Sequence, residues 1–204
     1  MEKFIITIAR GYGSGGRTIG QMLSEKLHVE FYDRDLIKLA SDESGINEAL
    51  FGKSDEKTKA GFGTKIYEDK IITPDKKAFT KEENLFNYQA KVIKQLADEK
   101  SCIIVGRCAD FVLRNRRDVI RVFVYADEEA CIKNVAEVKG ITDRKEALKR
   151  IAATDKERAA YYKAHTGRAW IDARNYDLCL NSGDLGFDKC VDIITEYIKI
   201  KIRK

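Results

Sequence analysis

Histidine and proline are nearly absent from this chain of 204 residues: His28 and His165 are the two histidines and Pro74 the one proline. Neither histidine has a neighbour in sequence that would orient it, so acid–base catalysis on imidazole is not expected. The five cysteines (Cys102, Cys108, Cys131, Cys179 and Cys190) are odd in number, and no two stand at C-x-x-C spacing. They read as reduced, buried filler, and with so few imidazoles a structural zinc site is not expected. Long apolar runs are missing too. The stretch from Phe4 to Ala9 is far too short for a signal segment or a membrane span, so the expected setting is the cytoplasm, with no membrane partner. Charge of one sign is also lacking: 38 basic side chains face 33 acidic ones, and a net +5 gives no ground for a nucleic-acid partner. No internal repeat is present. The length suits a single domain, 1–204, with one core.

Alternating apolar patterns organise what is there. A first strand is expected at about 3–8, followed by an amphipathic helix (Ile19, Met22, Leu23, Leu27) ending near His28. A short strand, 29–32, leads through Asp33-Arg34-Asp35 into a second helix, with Asp33 or Asp35 as its N-cap. Residues 42–80 are rich in Lys, Gly, Asp and Glu, hold Pro74 and show little period; they read as a mobile flap or insertion. Helices are expected at 81–100, 127–139, 142–165 and 187–202, and strands at 102–105, 119–125 and 176–180. Trp170, Tyr161 and Tyr162 read as packing groups. Strands that alternate with helices in this way predict a parallel sheet of about five strands flanked by helices, with its ligands at the carboxyl ends of the strands.

At the first of those ends stands Arg10-Gly11-Tyr12-Gly13-Ser14-Gly15-Gly16-Arg17-Thr18. Glycines let backbone N–H groups turn inward, and the following helix aims its positive end at the same point, so the run predicts a phosphate cradle. Two templates fit. Gly11-x-Gly13-x-x-Gly16 satisfies a dinucleotide fingerprint, with Asp33 placed for a ribose hydroxyl, and would suit an NAD(P)-dependent oxidoreductase. Gly11-x-x-x-x-Gly16-Arg17-Thr18 has the length of a P-loop, with arginine where lysine is usual. A phosphoryl-transfer site needs cations at two further places. Gly106-Arg107 at a strand end supplies one, and Lys149, Arg150, Lys156 and Arg158 along one charged helix supply the other. That balance favours phosphoryl transfer over hydride transfer.

Several further runs resemble the cytidylate kinase-like family within the nucleoside monophosphate kinases. They are Arg10-x-Tyr12-Gly13-Ser14-Gly15-Gly16, Phe31-Tyr32-Asp33-Arg34, Ile104-Val105-Gly106-Arg107-Cys108-Ala109-Asp110, and the stretch from Ile151 through Asp155-Lys156, Arg158 and Tyr161-Tyr162 to Thr166-Gly167. Tyr176-Asp177-Leu178 and Asn181-Ser182 extend the likeness to nearly the whole chain. The resemblance implies a P-loop kinase fold with a lid at 143–168, and transfer of phosphate from ATP, with Mg2+, to CMP or dCMP. Gly11, Gly13, Ser14, Gly15, Gly16, Arg17 and Thr18 would then hold ATP, with Thr18 or Ser14 at the metal. Asp33, Arg34, Arg107 and Asp110 would face the acceptor, and Arg17, Arg150, Lys156 and Arg158 would stabilise the moving charge. The group's usual loop reads G-S-G-K-G-T. Aligned on Gly13-Ser14-Gly15, its lysine falls on Gly16; aligned on loop length, it falls on Arg17. The lysine is absent in either register, which leaves open a nucleotide-binding or sensor protein without turnover.

Overall fold

The computed structural model describes residues 2–51 and 70–202. Its frame is one parallel sheet of β1 (Ile5–Arg10), β2 (Glu30–Tyr32), β3 (Cys102–Val105), β4 (Val119–Tyr125) and β5 (Leu178–Asn181), in the order β2-β3-β1-β4-β5. The central strand pairs with β3 from Ile5↔Cys102 and with β4 from Ile5↔Val119 through Arg10↔Val124. A dinucleotide fold of the 3-2-1-4-5-6 type would seat β2 beside β1. Here β3 lies between them, which is the first structural ground against the oxidoreductase alternative.

Period-two alternation sorts the strand side chains into two apolar layers. Ile5, Ala9, Cys102, Ile104, Val119 and Phe123 face one way, onto α2 (Asp35–Ser44), α3 (Glu82–Glu99) and α4 (Ala109–Val112). Ile6, Ile8, Ile103, Val105, Ile120, Val122 and Val124 face the other way. There they meet Ile19 and Leu23 of α1 (Gly16–Leu27), and Cys190, Val191, Ile194 and Ile198 of the C-terminal helix Phe187–Ile202. A sheet buried on both faces needs strands that are mostly apolar; β3 (Cys102–Val105) is apolar throughout, while β1 departs from this at Thr7 and Arg10 and β4 at Arg121 and its last residue, Tyr125. Between β4 and β5 come α5 (Glu128–Lys139) and α6 (Arg144–Thr166); α7 (Ser182–Leu185) and α8, the C-terminal helix, complete the chain. Among the described residues no helix is long and apolar enough to cross a membrane.

Three boundaries differ from expectation in ways that matter. The first strand runs two residues beyond 3–8, so Ala9 and Arg10 belong to it and Arg10 sits at the carboxyl edge itself. Helix α2 is not capped by Asp33 or Asp35: Arg34 holds the cap position without a side-chain cap bond, and Asp35 lies in the first turn. Asp33 has stronger partners elsewhere, described below. The last strand begins at Leu178 rather than Tyr176, because Asp177 turns its carboxylate to the backbone N–H of Arg121 at 2.8 Å and to Lys201 at 3.0 Å.

The expected flap lies partly outside the described residues, at 52–69. Its described edges are packed: α2 runs to Ser44, Ile46 and Phe51 are buried, and Phe79 meets Tyr88 edge-on at 6.2 Å. Four of the five cysteines are buried as expected, whereas Cys179 is exposed.

Helix α6 covers most of the expected lid and is a complete helix with both ends tied. Asp143 accepts the N–H of Glu146 at 2.7 Å, and Gly167, in the left-handed region, donates to Lys163 O. Its last turns are pinned to the core. Tyr162 donates to Asp110 Oδ2 at 2.6 Å, and His165 stacks on Phe86 with ring centroids 4.0 Å apart. Burial raises the Asp110 carboxyl to about 6 against this bond and holds the His165 imidazole down at about 4. The other histidine, His28, ends α1 in the left-handed region and donates its N–H to Ser24 O.

Two predictions follow from that packing. Tyr162→Phe takes the side-chain partner from the buried Asp110 carboxyl and is expected to lower unfolding free energy by about 1–3 kcal/mol in denaturant titration. The folded state holds His165 neutral, so as pH falls from its ordinary value of 6.5 toward 4, protons bind the unfolded chain preferentially and stability drops. The raised Asp110 carboxyl acts in the opposite sense, losing stability as pH rises through about 6, so the difference between wild type and His165→Phe isolates the histidine. Between pH 7 and 4.5 the variant should lose about 2 kcal/mol less than wild type.

Candidate functional site

All five strands are parallel, so the turns that follow them open on one edge of the sheet. The glycine loop leaves β1 there and is braced from three sides. Gly11 N–H donates to Val124 O at 3.0 Å, and Ser14 Oγ donates to Gly11 O at 2.9 Å. Ser182, just past β5, donates to Ser14 O at 2.6 Å, and the Asn134 amide of α5 donates to Gly13 O at 2.7 Å. On the third side Asp155 of α6 accepts the N–H of Tyr12 at 2.8 Å. The loop then enters α1 through Gly15, in the left-handed region at φ 73°, and the first turn of α1 holds no acidic residue. The first turn of α1 thus brings no carboxylate of its own to offset the positive end of the helix dipole.

Arginines converge on this end. Arg10 leaves the last position of β1 with 21% of its side chain exposed, and its Nη2 lies 3.6 Å from Asp33 Oδ1. Arg158 of α6 donates to Arg10 O at 2.8 Å, lies 3.4 Å from Asp155 Oδ1, and stands over the Tyr12 ring at 5.6 Å. Arg107 follows Gly106 at the end of β3. It and Cys108 take φ 56° and 52°, a left-handed pair that side chains other than glycine adopt at a cost of about 1–3 kcal/mol each. Burial is the main force pushing the Arg10 guanidinium down to about 9. Repulsion from Arg158 and Arg107 adds to it, and Asp33 and Asp155 offset part. Burial likewise lowers Arg158, against the pull of Asp155. Asp155 is itself raised by burial, against the Tyr12 N–H and Arg158.

Only some of the expected site residues meet here. Gly11 through Gly16 form the cradle. Thr18 stands half-exposed on the first turn of α1, whereas Ser14 is buried with its hydroxyl committed to Gly11 O. Arg17 turns sideways: it is 59% exposed, and its Nε meets Asp33 Oδ2 at 2.9 Å. The Asp33 carboxylate, expected to face an acceptor, is thus shared by Arg10 and Arg17. Arg34 is exposed at the start of α2, and Asp110 is buried against Tyr162. Of the α6 cations Arg158 reaches the loop, while Lys149, Arg150 and Lys156 are exposed. Among the described residues no cluster of three or more His, Cys, Asp or Glu side chains could hold a metal.

Sequence reasoning passed over Arg10 and Asp155 as site residues. A cation directly before a glycine loop was a usable signal for the first, once the strand was extended to include it. For the second no local signal exists, since an acid on a charged helix ordinarily faces solvent.

Comparison with known proteins accords with this geometry. A cytidylate kinase of Archaeoglobus fulgidus is 23% identical over 202 residues, covering 96% of this chain and 95% of that one. The crystal structure of an uncharacterized protein from Eubacterium ventriosum superposes with a TM-score of 0.71 at 27% identity, covering 97% of this chain and 99% of that one. A shikimate kinase from Bacteroides thetaiotaomicron shares the fold, with a TM-score of 0.56 at 14% identity over 96% of this chain and 98% of that one. The sequence profile of the cytidylate kinase-like family matches residues 5–184, nearly the whole span from β1 to the last short helix, and the chain belongs to that family.

Proposed function

We propose that the protein transfers a phosphoryl group from ATP to a small phosphate-bearing acceptor, a nucleoside monophosphate, with CMP or dCMP the first candidates. One observation carries this reading: a helix N-terminus behind a braced glycine loop faces Arg10, Arg107 and Arg158 across the same edge, with Asp33 and Asp155 the acids paired among them. Such an excess of buried positive charge suits a site that takes in phosphate groups from two substrates. The loop N–H groups would hold the donor. Arg107, fixed by its strained backbone at the end of β3, would hold the acceptor phosphate, and Arg158 would neutralise charge between them. Thr18 has the exposure and position to hold Mg2+ beside the donor, while the Ser14 hydroxyl is already used. Bound there, Mg2+ would neutralise charge on the donor oxygens. Little covalent work falls to the protein, whose part is to orient both substrates and exclude water. Cytoplasmic nucleotides, rather than nucleic acid or membrane, are the partners this site suits.

Segment 143–168 would act as the lid. Asp155 and Arg158 already rest on the loop and carry Lys156 between them, so closure concerns the half carrying Lys149 and Arg150. A second reading, binding without turnover, is favoured by one observation: the loop from Gly11 to Thr18 carries no lysine, and Gly16 opens the helix at one of the two positions where it would stand.

Steady-state turnover with ATP and a panel of monophosphates decides between the two: transfer to any of them supports the kinase, while ATP binding with no acceptor phosphorylated supports the second reading. Arg107→Met is expected to weaken acceptor binding by about 1.5–3 kcal/mol and to leave ATP affinity nearly unchanged; equal loss of both would make Arg107 structural. Hydrogen exchange should show protection at 143–153 appearing on addition of ATP and acceptor. Full protection in the free protein would remove Arg150 from the mechanism.

A further inference from the structure

The two candidate positions for the missing lysine are Gly16 and Arg17, and the structure supplies a cation at neither. Arg17 lies to the side on Asp33. A side chain on Gly16 has no room, because a Cβ built there falls 2.5 Å from Arg10 Cβ, 3.0 Å from Arg10 Cγ and 3.4 Å from Val124 Cβ. The stem of Arg10 thus fills the space that a residue at position 16 would use. A second glycine opens the far end of the same path: a Cβ on Gly106, at φ 80°, would run into Arg10 Nη1. Between these two glycines the guanidinium crosses from the first turn of α1 to the end of β3, with Asp33 on one side and Arg158 donating to its backbone carbonyl. This is the junction of the donor loop and the Arg107 side.

We propose that Arg10 is the cation this loop sets against the terminal phosphate of the donor, entering from the strand before the loop rather than from the helix after it, through a slot that Gly16 and Gly106 keep open. The inference rests on the kinase reading and names the residue that does the work of its absent lysine. Three physical facts support it. The guanidinium is mostly buried, so its charge is poorly screened and acts strongly on an anion at the loop. Its neighbours leave it under-compensated, since the 3.6 Å contact with Asp33 is longer than a charge-assisted hydrogen bond, and Asp33 is drawn more closely to Arg17 at 2.9 Å. Arginine, unlike lysine, spans two phosphate oxygens, which suits a site approached from the side.

Inorganic pyrophosphate is the probe, because it tests the phosphate subsite without a base or an acceptor. Wild type is expected to gain melting temperature with pyrophosphate and to bind ATP more tightly than AMP. In Arg10→Met, with the fold verified by circular dichroism, the pyrophosphate shift should vanish and ATP affinity should fall about tenfold or more, while AMP affinity changes little. Arg10→Lys keeps a cation on the same path and should retain an intermediate shift. Gly16→Lys alone should bind poorly, since the new stem meets Arg10. The double variant Arg10→Gly, Gly16→Lys rebuilds a helix-borne cation in the vacated slot and should bind pyrophosphate more tightly than Arg10→Gly. If Arg10→Met responds to pyrophosphate as wild type does, or the double variant binds no better than Arg10→Gly, the proposal is overturned and the kinase reading stands. If wild type responds to neither pyrophosphate nor ATP, both fall together.

Discussion

A guanidinium buried at the end of the central strand would be untenable alone, and the contacts around Arg10 are what make this edge of the sheet possible. Removing such a charge from water is opposed by several kcal/mol unless other charges and hydrogen bonds compensate. Asp33 provides part of the compensation from the turn after β2, and Asp155 provides part from α6. Arg158 works in both directions: its charge repels the Arg10 guanidinium, yet its N–H groups satisfy the Arg10 carbonyl. The network therefore ties three separate segments of chain to one point while leaving net positive charge there. A structure held together by a complete set of ion pairs would have no need of an anion; this one has a deficit where the glycine loop and the helix end already favour negative charge.

The loop itself is rigid for a separate reason. Glycine-rich backbone loses more entropy on ordering than any other, so it holds one shape only when its polar groups are claimed. Val124, Ser182, Asn134 and Asp155 make those claims from β4, α7, α5 and α6. The bonds from Ser182 and Asn134 end on loop carbonyls, and the internal bonds of Ser14 do the same through Gly11 O. The N–H groups of Gly11, Tyr12 and Ser14 are spent on the bracing as well, through Val124 O, Asp155 and Gly11 O.

Helix α6 joins two behaviours in one element. Its last turns are as buried as core, through Tyr162, His165 and Thr166, while its first half carries Ala147 as a buried contact amid exposed charge. No continuous apolar stripe runs its length, so the halves are stabilised differently: the far half by packing, the near half by its Asp143 cap and by ion pairs of Arg144 with Glu128 and Glu129 of α5. Exposed pairs of that kind contribute little to stability.

Local pattern by itself determined the layered α/β architecture, the five strands within a few residues, the glycine cradle and its helix, and the placement of Arg107 at a strand end. Each depends on neighbours in sequence: alternation of apolar residues, glycine before a helix, β-branched runs between charged helices. What the tertiary structure decided was which charges meet. Arg17, in a first helical turn, had the better spacing but was drawn sideways by Asp33 from another strand's turn, whereas Arg10 gained its place because Gly16 and Gly106, ninety residues apart in the chain, both make way for it. Asp33 was lost as a cap for the same reason, since two arginines compete for a carboxylate more strongly than a backbone N–H does. Arg158 and not Arg150 reached the loop because of where Tyr162 and His165 pin the helix. Spacing along a chain predicts which side of an element a residue lies on; the order β2-β3-β1-β4-β5, which brings β3 rather than β2 against the central strand, fixes the distances between ends of elements, and it is over those distances that charges choose their partners.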